Sequence, residues 1–165
     1  AGEHVELAAR AVTVSSFDVI ATERSASSID LEVEVECSTG TYIRALARDL
    51  GAALDIGGHL TRLRRTRVGP FGQAAAVALD DLAAQSDPQR LLVPMGVAAS
   101  QCFASLTLPG TAAADVRHGR PIAWPDSTAS ADEAAPLALL GEDGDLLALA
   151  TERDGRARYL AVFRG

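Results

Sequence analysis

The sequence predicts an α+β protein in two parts, and three observations carry that prediction. Residues 29–37, Ile-Asp-Leu-Glu-Val-Glu-Val-Glu-Cys, alternate apolar and acidic over nine positions, the period of a strand with one buried face. From Thr41 the period changes: Ile43, Leu46, Ala47, Leu50 and Leu54 recur at helical spacing, which predicts an amphipathic helix over 41–54. Beyond about residue 98 the chain becomes short apolar runs separated by turn signals at Pro109-Gly110, at 141–144 and at Asp154-Gly155, the spacing of a small β-barrel.

The elements follow in order. Ahead of the alternating strand, residues 6–20 contain Val12-Thr13-Val14 and Phe17-Asp18-Val19-Ile20, suited to strands of the same sheet. Ser38-Thr39-Gly40 breaks the alternation, so a Ser or Thr cap is expected before the helix. Gly57-Gly58 ends that helix and turns the chain; residues 59–68 are then expected to return as a strand beside 29–37. Leu79-Asp80-Asp81-Leu82 opens a short helix that fades at Ser86-Asp87-Pro88, and residues 91–97, interrupted by Pro94, read as a linker. The boundary therefore falls near Ala98 and gives domains of 1–97 and 98–165. Within the second, residues 111–118, stopped by Gly119, read as a helix, and the Ser/Ala/acidic stretch 126–135 as a mobile loop.

Composition narrows the chemistry. The 165 residues are 48% apolar, enough to bury a core, yet no apolar run approaches the ~18 residues of a membrane span. Ala1-Gly2-Glu3-His4 is neither a signal peptide nor an initiator methionine, so a soluble cytoplasmic chain truncated at its N-terminus is expected. Cys37 and Cys102 fit no metal or redox spacing and suit free thiols in a reducing compartment. Lysine is absent, which excludes a Walker-A phosphate loop, a Schiff-base lysine and a Ser-Lys dyad within the chain.

All cationic work falls to arginine, and its placement is uneven. Residues 37–71, CSTGTYIRALARDLGAALDIGGHLTRLRRTRVGPF, hold six of the fifteen arginines against only Asp49 and Asp55. The block is thus +4 while the whole chain is −7, leaving −11 elsewhere. A polyanion is steered to that block and away from the rest. Arginine suits the task, because its planar fork pairs two-pronged with phosphate and its face stacks on bases.

The same block resembles the pattern C-S-x-G-T-Y-I-R followed by G-x-H-L-x-x-L-R-R-x-x-V-G-x-F of the bacterial tRNA pseudouridine synthase B family, most closely over residues 29–72. That family isomerises uridine-55 of the tRNA T loop. The resemblance implies the C-terminal portion of a mixed-sheet pseudouridine synthase catalytic domain, followed by a small PUA-like RNA-binding barrel. The family's nucleophilic aspartate lies in an earlier G-x-L-D-P motif, and no such string occurs here; the catalytic aspartate is expected in a part that precedes this chain.

Residue by residue, the resemblance sets Tyr42 in the active site against the extruded uridine and pairs Arg44 with the aspartate. An aromatic wall stacks a flipped base for about 1–3 kcal/mol, and an arginine facing a carboxylate keeps it ionised against desolvation. Leu63 falls at the pocket wall opposite the tyrosine, or equally in an ordinary strand core. Arg48 suits a phosphate contact or half of a surface ion pair. Arg62, Arg64, Arg65 and Arg67 are RNA-binding candidates, and on a strand they divide, 62 and 64 to one face and 65 and 67 to the other. His59, in its Gly-Gly-His-Leu turn, has no second ligand at metal spacing and reads as structural. The implied reaction takes no metal or organic cofactor; the implied partner is the T stem-loop of tRNA, met by a monomer. Two other readings stay open: a non-catalytic RNA-binding or tRNA-remodelling module, and an acidic domain whose arginine block binds a protein.

Overall fold

The computed structural model describes residues 11–125 and 131–163, which fall in two compact units, Ala1–Arg64 and Arg65–Gly165. Part of the N-terminal strand stretch and of the 126–135 loop lies outside the described residues.

In the first unit, β1 (Val14–Arg24) and β2 (Ile29–Cys37) form an antiparallel pair. Strand β2 has the bounds its alternation predicts. Its partner is the preceding segment, as one long strand with two register shifts, at Val14/Ser16 and Val19/Ala21. The register sets Phe17 opposite Val35 and Val19 opposite Val33 on one face, with Asp18 opposite Glu34 and Glu23 opposite Asp30 on the other. Apolar and acidic positions are thereby separated by face, as period 2 requires. The reversal is built by serines: the Ser25 amide donates to the Ser28 carbonyl at 2.9 Å, and the Ser25 hydroxyl accepts from the Ser28 amide at 3.0 Å.

Helix α1 (Ile43–Ala53) follows. The expected Ser or Thr cap is not formed: Tyr42 occupies the cap position and makes no side-chain cap bond. Ser38 and Thr41 instead fasten the turn ahead of it, the Ser38 hydroxyl accepting from the Thr13 amide at 2.9 Å and the Thr41 hydroxyl donating to the Ser38 carbonyl at 2.9 Å. The helix also ends before Gly57. Asp55 takes the left-handed conformation (φ 56°), its amide donating to the Ala52 carbonyl and that of Ile56 to the Gly51 carbonyl, a Schellman ending with an aspartate where glycine is commoner. Gly51 is the buried residue of α1; a Cβ there would strike the backbone of Gly57 and Gly58.

The expected return strand over 59–68 is corrected by the structure. Residues 59–66 have no regular structure, and pairing is confined to β3 (Arg67–Val68) with β4 (Phe71–Gly72). A strand persists only with a hydrogen-bonded neighbour, and among the described residues, 59–66 pair with none.

The second unit carries the larger core. After β3 and β4 come a 3₁₀ turn (Gln73–Ala75), α2 (Leu79–Ala84), a second 3₁₀ turn (Pro88–Leu91), α3 (Met95–Cys102), β5 (Ser105–Thr107), α4 (Gly110–Arg117), β6 (Leu137–Leu140), β7 (Leu146–Arg153) and β8 (Arg156–Val162). The stretch 91–97, expected as a linker, lies inside the second unit, and Pro94 caps α3 at a position where proline loses no helical hydrogen bond. Strands β5 to β8 form one sheet in that order, β5 parallel to β6 and the rest antiparallel. Leu139, Leu147 and Val116 are fully buried on the α4 side, while Ala138 and Leu146 pack with Ala99 of α3 on the other. A strand covered on both faces reads as a continuous apolar run, as β6 (Leu-Ala-Leu-Leu) does. Each buried Leu contributes about 1.5–3 kcal/mol.

Candidate functional site

Where β2 gives way to α1, the chain is held by the Ser38 and Thr41 bonds and by Gly40 at φ 82°. Tyr42 leaves that turn in an extended conformation (φ −95°, ψ 105°), and its carbonyl accepts from the Ala45 amide at 2.9 Å. Its ring is largely exposed, and the guanidinium carbon of Arg44 lies 4.9 Å from the ring centroid, a cation–π stack. Among the described residues no carboxylate lies within ion-pair distance of Arg44. Sequence reasoning brought both residues to the head of the helix but did not anticipate their stacking; the i, i+2 spacing across a helix start is the only signal for it.

Arg48, one turn on, is engaged by its neighbour: Nη2 lies 2.7 Å and Nε 2.8 Å from Asp49 Oδ1, both side chains well exposed. Arg62, Leu63 and Arg64 are exposed in the irregular segment that ends the first unit, Leu63 at 64%. Without a strand there, the expected division of the arginines by alternation does not apply. Arg65 and Arg67 belong to the second unit, where they border a shallow recess of about 290 Å³ with Val68, Phe71 and Val93. Arg67 also donates to the Gly69 carbonyl at 3.2 Å. His59 is exposed. Among the described residues no group of three His, Cys, Asp or Glu side chains is placed to hold a metal.

A roomier cavity, about 480 Å³, opens in the second unit among Leu106, Leu108, Ala112, Ile122, Trp124 and Pro125. No charged side chain lines it.

The chain is similar in sequence to proteins of one family. A family profile described as the tRNA pseudouridylate synthase B C-terminal domain matches residues 44–99. Over 164 residues the chain is 49% identical to tRNA pseudouridine synthase B of Nocardia farcinica, covering 99% of the chain and 51% of that protein. The enzyme of Thermobifida fusca is 43% identical over 169 residues, covering 100% and 54%. The chain matches the C-terminal half of tRNA pseudouridine synthase B.

It therefore spans about half the length of the curated relatives it matches. Among solved structures, the H/ACA RNP bound to a substrate RNA containing 2'-deoxyuridine aligns with a TM-score of 0.74 at 24% identity, over 94% of this chain and 56% of that one. A Cbf5-Nop10-Gar1 complex gives 0.74 and 24%, over 97% and 55%. At that identity the likeness concerns the fold, which is mixed α/β throughout. The profile of the tRNA pseudouridine synthase B C-terminal domain begins at Arg44 and runs through Arg67, so the family match takes in most of the basic block. Among the described residues no helix is long and apolar enough to cross a membrane.

Proposed function

We propose that this chain is the C-terminal half of a cytoplasmic, monomeric tRNA pseudouridine synthase that flips uridine-55 out of the T loop and isomerises it to pseudouridine. The observation that carries the reading is the head of α1: an aromatic ring and a guanidinium without a carboxylate partner among the described residues, side by side on a fastened turn. The reaction breaks the glycosidic bond, rotates the uracil and rejoins it through carbon. It needs a dry pocket for an extruded base and a carboxylate held ionised. Tyr42 supplies ring surface and Arg44 the cation, with the nucleophilic aspartate coming from the half that the relatives possess and this chain does not. Leu63 closes the pocket wall as an apolar side chain awaiting cover.

Arg48, Arg62, Arg64, Arg65 and Arg67 serve as phosphate contacts along the T stem-loop, which an acidic body with one cationic block favours. Residues 1–97 belong to the catalytic domain, and from about residue 98 the chain forms a PUA-like RNA-binding domain, in which Ala99 packs against Ala138 and Leu146 of the sheet.

The test is chemical mapping of pseudouridine in tRNA incubated with a full-length polypeptide that ends in this sequence. Modification at the T-loop uridine is expected. Tight tRNA binding without modification would favour the non-catalytic RNA-binding module.

A further inference from the structure

The stacking of Arg44 on Tyr42 assigns the tyrosine a second duty. Arg44 is the second residue of α1 and sits in its first turn, at the positive end of the helix dipole, where a cation is disfavoured. No acidic residue shares that turn and Tyr42 makes no side-chain cap. A long, flexible guanidinium in such a place swings into solvent unless something holds it. Among the described residues the recorded contact is the Tyr42 ring, 4.9 Å away. The ring's own base is stiff, because the Ser38, Thr41 and Thr13 bonds fasten the turn and the Tyr42 carbonyl accepts from α1.

We propose that Tyr42 is a positioning residue for Arg44: its ring pins the guanidinium by one face, aims the fork at the carboxylate of the preceding half, and leaves only the opposite face to the extruded uracil. The inference rests on the isomerase reading and deepens it. A cation–π contact of the exposed kind corresponds to roughly 2- to 5-fold in the population of the held arrangement, and to about 30-fold once a bound substrate excludes water. Prepaid immobilisation of this kind acts on the chemical step more than on binding.

The experiment uses the full-length polypeptide with Tyr42→Phe and Tyr42→Leu, and two readouts. The first is the ring-current shift of the Arg44 side-chain protons in arginine-labelled protein, which is independent of activity. The second is the single-turnover rate at saturating tRNA, compared with the tRNA dissociation constant. Tyr42→Leu should abolish the shift and lower the rate by about 2- to 30-fold, with a smaller change in dissociation constant. Tyr42→Phe should keep the shift and recover most of the lost rate, since the stacking face remains. A Leu variant that keeps the wild-type Arg44 shift overturns the inference, as does one that binds tRNA more weakly yet reacts at the wild-type rate when saturated. If the wild type shows the shift and forms no pseudouridine, the isomerase reading has failed and the positioning role falls with it; if it forms pseudouridine without the shift, the positioning inference alone has failed.

Discussion

Arg117, in the last turn of α4, donates from Nη2 to Asp143 Oδ2 at 2.7 Å and so ties that helix to the turn between β6 and β7, 26 residues away. The Asp145 amide donates to the other carboxylate oxygen at 3.1 Å. That backbone bond, followed by the Arg117 charge, holds the Asp143 carboxyl below the usual carboxylate range. A depressed folded-state value stabilises the fold above the unfolded value, and the contribution is lost as pH falls through the folded one. Asp143→Asn should therefore differ from wild type at neutral pH and converge with it below about pH 4. Thermal melts across that range check this; because the pair is exposed the neutral-pH difference should be small and should shrink with salt.

The core of the second unit offers a stronger lever. Leu139 is fully buried beside Val116 and Leu147, so Leu139→Ala should cost about 2–5 kcal/mol through lost burial and the cavity left behind. Trp124, the single tryptophan, packs against the same cluster. Its fluorescence during denaturant unfolding should show the midpoint fall while the slope stays constant.

Gly51 tests the ending of α1. The amides of Ile56 and Gly57 both donate to the Gly51 carbonyl at 3.1 Å, and the space a Cβ would need is filled by Gly57 and Gly58. Gly51→Ala should force the turn off the helix at a cost of about 1–3 kcal/mol, read as lost hydrogen-exchange protection at Ile56 and Gly57. Unchanged protection would show that the turn yields without strain.

What the sequence made legible was local. Strand β2 could be read to the residue because alternation is a short-range signal, and α1 and α4 fell within two residues of their observed ends because apolar spacing and the stops at Gly57-Gly58 and Gly119 are local signals. Partnership was not legible: β2 pairs with β1 across the Ser25–Ser28 reversal, while residues 59–66 make no pairing among the described residues, and alternation cannot choose between neighbours. Strand β6 hid its faces because both are covered. Pro94 looked like an interruption but serves as the cap of α3. In the candidate site, the T-Y-I-R motif brought forward Tyr42 and Arg44, whereas their mutual stacking depends on side-chain directions that no period encodes.

The arginines should divide by role in the full-length polypeptide. Arg44→Lys keeps the charge but loses the planar fork, so turnover should fall far more than tRNA affinity. Alanine at Arg64 or Arg65 should weaken binding, lower the slope of log affinity against log salt by about one unit, and leave single-turnover chemistry at saturation nearly intact. An Arg44→Lys variant changed in affinity alone would move that residue from the chemistry to the RNA grip.

The most direct measurement is tritium release from tRNA labelled at carbon 5 of uridine, run with a polypeptide of these 165 residues and with one that carries them behind the half its relatives possess. Arg44 meets no carboxylate among the described residues, and the sequence holds no G-x-L-D-P aspartate. The shorter chain should release no tritium at any concentration, and the longer one should release it in step with pseudouridine at the T-loop uridine. Turnover by the 165-residue chain alone would contradict the account, because it would place the nucleophile among residues assigned here to the pocket wall and the RNA grip.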